Sequence, residues 1–154
     1  MRESGRESPL DFRVFPEKWD GKIGKFTIIF LILGISARLF RYLLNFPLWP
    51  DETFLAANFI NGIYSDLLGP LAYHQVAPLL FLWLEQLFVN ILGFSELTLR
   101  LFPALAGMAA VVLFFLLARK LAGGATLLLA VALLAVSYFP IRHSAEVKPY
   151  STDL

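Results

Sequence analysis

Three apolar runs of near-bilayer length constrain this chain more than anything else in it. Residues 101–118 form an 18-residue run and 121–139 a 19-residue one. Residues 26–44 are apolar apart from Thr27, Ser36, Arg38 and Arg41. A helix needs roughly 20 apolar residues to cross a bilayer. The whole chain is 58% hydrophobic and only 16% charged, where soluble domains run nearer half and a quarter. The expected fold class is therefore all-α and integral to a membrane. A net charge of +1 provides no basic field for nucleic acid. The lack of cysteine excludes a disulfide framework or a cysteine-based zinc finger.

Charge sets the expected topology. Residues 1–25 carry Arg2, Arg6, Arg13, Lys18, Lys22 and Lys25 against five acids, and read as a solvated cytoplasmic tail. The first apolar run meets Arg38 and Arg41 rather than a small-residue cleavage site, so it is expected to be an uncleaved anchor. Residues 76–92 are apolar but short, and contain Glu85, Gln86 and Asn90. If they crossed, the Arg119-Lys120 turn would fall outside, against the positive-inside tendency. The expectation is three spans (26–44, 101–118, 121–139), a long first external loop (45–100) and the start of a second (140–154). Within the first loop Leu55, Phe59, Ile60, Ile63, Tyr64 and Leu67 make a helical stripe, as interfacial amphipathic helices do. Ala106, Gly107 and Ala110 permit close helix packing.

This layout puts two charged clusters in one compartment. The first is Trp49-Pro50-Asp51-Glu52-Thr53, two carboxylates at the start of a helix. Asp51 has the makings of an N-cap, and a carboxylate in hydrogen-bond reach of a hydroxyl is also a general base. The second is Arg142-His143-Ser144-Ala145-Glu146-Val147-Lys148, followed by Asp153. It is either a solvated membrane flank or a site in which Glu146 or Asp153 joins Asp51. In that site Arg142 and Lys148 would meet phosphate oxygens. Arg38 and Arg41 share a face of the first helix, where snorkelling to headgroups competes with phosphate contact. His74 and Gln75 precede Pro78, which suits a helix start. With histidine only at 74 and 143, no metal site is assigned. The chain contains no phosphate-binding glycine loop, nucleophile elbow or metalloprotease helix.

In this order, Pro50-Asp51-Glu52-Thr53, Pro78-Leu79-Leu80-Phe81-Leu82-Trp83, Leu99-Arg100-Leu101-Phe102-Pro103 and Glu146-Val147-Lys148-Pro149-Tyr150 resemble the C-type glycosyltransferases (GT-C). That group includes the protein O-mannosyltransferases and the bacterial aminoarabinose transferases, and the likeness spans roughly residues 26–154. It implies transfer of a sugar from a polyprenyl-phosphate donor to a lipid, glycan or protein acceptor at the outer face, in a bacterial inner membrane. By that resemblance Asp51 is the acceptor-side catalytic acid and Glu146 the second-loop acid. Arg142, Lys148 and Arg41 are the donor-phosphate candidates, with Glu52, His74, Gln75 and Asp153 in support. A lysine that aminoarabinose transferases carry before the Pro-led helix is replaced here by His74-Gln75. The resemblance names no certain cofactor and leaves a divalent cation open. It implies a chain that continues past Leu154, this portion being inactive alone. The rivals are a truncated, non-catalytic remnant, or a transport or lipid-binding subunit. Transporters place ionisable residues within symmetric spans, which these runs almost lack.

Overall fold

The computed structural model describes residues 21–61 and 63–151, and among them all regular structure is helical. Six α-helices follow in order: α1 (Lys22–Leu43), α2 (Pro50–Ala56), α3 (Leu79–Leu92), α4 (Glu96–Leu121), α5 (Gly124–Val136) and α6 (Tyr138–His143). Of the expected tail, residues 1–20 lie outside the described residues. Helix α1 starts at Lys22, before the apolar run itself.

Two helices, α1 with 22 residues and α4 with 26, are long and apolar enough to cross a membrane. Helix α4 begins where Ser95 Oγ accepts from Thr98 N at 3.1 Å. Glu96 sits in its first turn and Arg119 and Lys120 in its last, so both ends match the helix dipole. Arg119 and Lys120 thus belong to the helix, and the chain turns at Ala122 and Gly123.

The run 121–139 is not one helix. Ser137 adopts φ −64° and ψ 123° between α5 and α6. Pro140 has no N–H to offer the carbonyl four residues back, so the ladder stops there. Helix α5 has 13 residues and rises only about 20 Å, short of a 30 Å hydrocarbon core. The first external loop also differs from its expected stripe. Helix α2 has 7 residues and gives way to 3₁₀ turns at Ala57–Phe59 and Tyr64–Leu68. The Asn58 amide donates to the Phe54 and Leu55 carbonyls at 3.0 and 3.1 Å. Its oxygen accepts from Ala72 N at 2.8 Å. Such side-chain bonds compete with the helical ladder. Leu55, Phe59 and Leu67 are buried while Ile60 and Ile63 stay exposed.

Helix α1 packs chiefly on α5 and then on α4. Gly34 makes this contact close, since a Cβ there would lie 3.0 Å from Ala135. Arg38, one turn on, is 1% exposed, and its guanidinium donates to Gly34 O at 2.9 Å and Leu134 O at 3.3 Å. It therefore neither snorkels nor faces a phosphate; it ties α1 to the end of α5. Gly107, read as a helix–helix contact, instead faces the second loop. A Cβ there would sit 2.4 Å from Ser144 Cβ, so Ser144 lies directly on α4.

A core cluster of Leu55, Phe59, Phe81, Leu82, Leu99 and Val147 joins α2, α3, the start of α4 and the second loop. A second cluster, Phe115, Leu127 and Val131, lies among the long helices. Outward faces remain strongly apolar, with Ile29, Ile32 and Phe40 on α1 and Leu113 and Leu117 on α4 all exposed. Such surface suits lipid rather than water.

Candidate active site

The site begins with the entry to α2. Trp49 is extended, and Pro50 starts the helix with its φ already fixed. Asp51 is therefore a first-turn residue and not the N-cap expected from sequence. Glu52 does the capping, its Oε2 accepting from Trp49 N at 2.9 Å.

Glu52 does more than cap. Arg100 Nε reaches Oε1 at 3.2 Å and Arg100 Nη2 reaches Oε2 at 2.9 Å, a two-point pairing favoured by the planar guanidinium. Val147 N donates to Oε1 at 2.8 Å. Both partners are nearly inaccessible, at 4% and 3% side-chain exposure. Arg100 also donates to the Phe46 and Pro47 carbonyls. One buried carboxylate thus joins the end of α1's loop, the start of α4 and the second loop. Sequence reasoning gave Glu52 only a supporting place and named Arg100 only within a stretch carrying the family resemblance, with no role of its own. Burial is the missing signal, and nothing local in the sequence reports it.

Asp51 points the other way, with a side chain 64% exposed and its Oδ2 2.9 Å from Lys148 Nζ. Lys148 is itself nearly buried, and its Nζ also donates to Gln75 Oε1 at 2.7 Å. Gln75 follows Tyr73 and His74, both at positive φ. This strained turn is held by stacking of Tyr73 on Phe54, 4.8 Å between centroids.

The second loop supplies the opposite wall. Arg142 Nε donates to Glu146 Oε1 at 2.7 Å, and His143 Nδ1 lies 2.7 Å from Glu146 Oε2. The hydrogen bond to Glu146, and then its charge, push the Arg142 pKa up. The Arg142 guanidinium sits 5.3 Å from the Trp49 ring centre, a cation–π contact between the two loops. Trp49, Asp51 and Glu52 on one side, and Arg142, His143, Glu146, Lys148 and Tyr150 on the other, line a cleft of about 230 Å³.

Of the residues expected from sequence, Asp51, Glu52, Arg142, Glu146 and Lys148 meet in this cleft, with Gln75 one hydrogen bond behind. Arg41 lies elsewhere. It stacks over Phe46 at 4.3 Å and lines a neighbouring groove of about 420 Å³, which shares Trp49 with the cleft. His74 is exposed and lines neither hollow. Asp153 lies outside the described residues. His143 is the cleft residue that sequence reasoning passed over as a candidate.

The family model for dolichyl-phosphate-mannose-protein mannosyltransferases matches residues 76–152. The chain belongs to this family. The match runs from just before α3 to the end of the second loop, and so takes in Arg100 and the whole second-loop wall. An uncharacterised protein of Aquifex aeolicus (strain VF5) is 32% identical over 132 residues, covering 81% of this chain and 26% of that protein. The chain thus spans about a quarter of that relative's length. No solved structure matches it. Family membership and the two long apolar helices together make this an integral membrane protein.

The chemistry available in the cleft is that of charge arranged around a small polar space. One exposed carboxylate is poised beside a cation, a second cation, Arg142, lines the wall, and aromatic rings bound the opening. Such a set can orient a hydroxyl and hold an anionic leaving group.

Proposed function

We propose that this chain carries the acceptor and donor-phosphate groups of a membrane glycosyltransferase that moves a sugar from a polyprenyl-phosphate carrier to a lipid, glycan or protein acceptor. The reaction is assigned to a polypeptide of the Aquifex relative's extent, of which these residues supply the cleft. One observation carries the assignment most strongly. Asp51 and Lys148, 97 positions apart, form a 2.9 Å ion pair at the cleft mouth, beside the buried Glu52–Val147 bond that fixes their loops together.

In this mechanism Asp51 orients the acceptor hydroxyl or takes its proton. The acceptor oxygen attacks the anomeric carbon, and the bond from that carbon to the phosphate oxygen breaks. Lys148 and Arg142 meet the charge that gathers on the departing lipid phosphate, as preorganised cations do in low-dielectric sites. Arg41, in the adjoining groove, contacts the donor headgroup further out. Glu146 acts in support. The proposed topology keeps the N-terminus cytoplasmic and both loops at the outer face of a bacterial inner membrane. The third crossing runs through α5 into the first residues of α6 and ends before Arg142 and His143, which stay at the outer face.

The test uses the native gene product in proteoliposomes, supplied with polyprenyl-phosphate sugars carrying a labelled glycosyl group. Loss of label from the carrier, with appearance of free polyprenyl phosphate, is the expected result. A protein that binds these donors yet never consumes any of them, with membrane extract offered as acceptor, would sink the assignment.

A further inference from the structure

Glu146 is poorly placed to act on a substrate itself. Its side chain is 10% exposed, and each carboxylate oxygen is already held at 2.7 Å, one by Arg142 Nε and the other by His143 Nδ1. His143 is the member of the pair that reaches the open space, with a third of its side chain exposed. Its ring is fixed on two sides, stacked 6.1 Å from Phe139 and edge-on 4.9 Å from Tyr150. A carboxylate on Nδ1 holds the proton there and leaves the Nε2 lone pair as acceptor. Nε2 bonds to no described residue. Asp51, across the cleft, already has Oδ2 engaged by Lys148.

Building on the transferase assignment above, we infer that His143 Nε2 is a catalytic proton acceptor in the transfer step, with Glu146 as the carboxylate behind it. The acceptor O–H bond breaks and its proton passes to Nε2. The oxygen's electron pair forms the bond to the anomeric carbon. The carbon–phosphate-oxygen bond breaks, and its electrons leave on the polyprenyl phosphate. The resulting imidazolium, held against Glu146, returns its proton to the departed phosphate or to water. Asp51 is then free to orient the hydroxyl. The charged and titratable groups around the ring are Glu146, Arg142, Lys148 and Tyr150 on its own segment, with Asp51 and the Arg100-paired Glu52 opposite.

The experiment is the pH profile of kcat for sugar transfer by the native gene product and two variants. Wild type loses rate toward acid as His143 takes up a proton. His143→Gln is expected to lower kcat by about 10²–10⁴-fold, to remove that acid limb, and to leave the donor KM within a few-fold. Glu146→Gln keeps the histidine but removes the carboxylate that holds its Nδ1 proton, so kcat should fall by about 10-fold or more with the donor KM within a few-fold. A His143→Gln enzyme with near-normal kcat and an unchanged acid limb would overturn the inference while leaving the transferase assignment intact. So would a Glu146→Gln enzyme with the wild-type kcat. Absence of any transfer by wild type would instead fell both together.

Discussion

Adjacent carboxylates at the start of α2 have opposite fates because a first-turn helix directs them about 100° apart. Glu52 turns inward to Arg100 and two backbone N–H groups, and Asp51 turns out to Lys148. Removing one member of a buried pair strands the other, at a cost of about 3–5 kcal/mol. Glu52→Gln is therefore expected to lower the thermal midpoint markedly and to loosen both loops. Asp51→Asn should leave the midpoint within a degree or two, because the Asp51 side chain is 64% exposed and Lys148 Nζ keeps its hydrogen bond to Gln75 Oε1. Parallel thermal scans of the two variants separate these roles. A second residue-scale case is Glu85 on α3, outside the two helices long and apolar enough to cross a membrane. It is fully buried, neither carboxylate oxygen has a partner among the described residues, and burial pushes its pKa up to about 9. The folded protein then keeps this proton to higher pH than the unfolded chain does. Between the ordinary carboxylate range and about pH 9, stability should fall as pH rises, by at most about 1.4 kcal/mol per pH unit. Glu85→Gln should flatten this slope in a pH series of unfolding midpoints. A slope identical in both proteins would contradict the neutral Glu85.

At the scale of elements, small residues and one proline position the site. Gly107 lets the second loop lie on α4, and a methyl group there would enter the space of Ser144. Gly107→Ala should destabilise by about 1–3 kcal/mol, as overpacking does. Adding Ser144→Gly should recover much of that loss, and the double-mutant cycle measures the coupling. Additive effects would mean that the two residues do not touch. Pro140 ends the α5 ladder and lets α6 carry Arg142 over Trp49. Much of this was legible in the sequence. Asp51, Arg142, Glu146 and Lys148 were named from charge, spacing and resemblance, and they do meet in one cleft. The α5–α6 break was missed because Ser137, where the backbone turns, is a single small polar residue inside an otherwise apolar run, and Pro140 lies just past the end of that run. The true partner of Glu52 was missed because Arg100, 48 positions away, reaches it only through tertiary packing. Arg38 was misjudged for the same reason, since its acceptors are backbone carbonyls invisible to any side-chain pattern.

For the whole molecule, the claim is that two loops far apart in sequence face one side of the membrane and close on each other. The chain has no cysteine, so single cysteines can be placed in an unreactive background. Ser65→Cys and Tyr150→Cys are expected to react with a membrane-impermeant maleimide on intact cells, and Lys120→Cys only after permeabilisation. Equal labelling of all three on intact cells would reject the proposed topology. The central claim is that Asp51 serves transfer rather than folding, and it is tested most directly by kcat/KM for Asp51→Asn in the native gene product. A loss of about 10²-fold or more with an unchanged thermal midpoint is the predicted result. Transfer at the wild-type rate from an enzyme lacking the Asp51 carboxylate would contradict it.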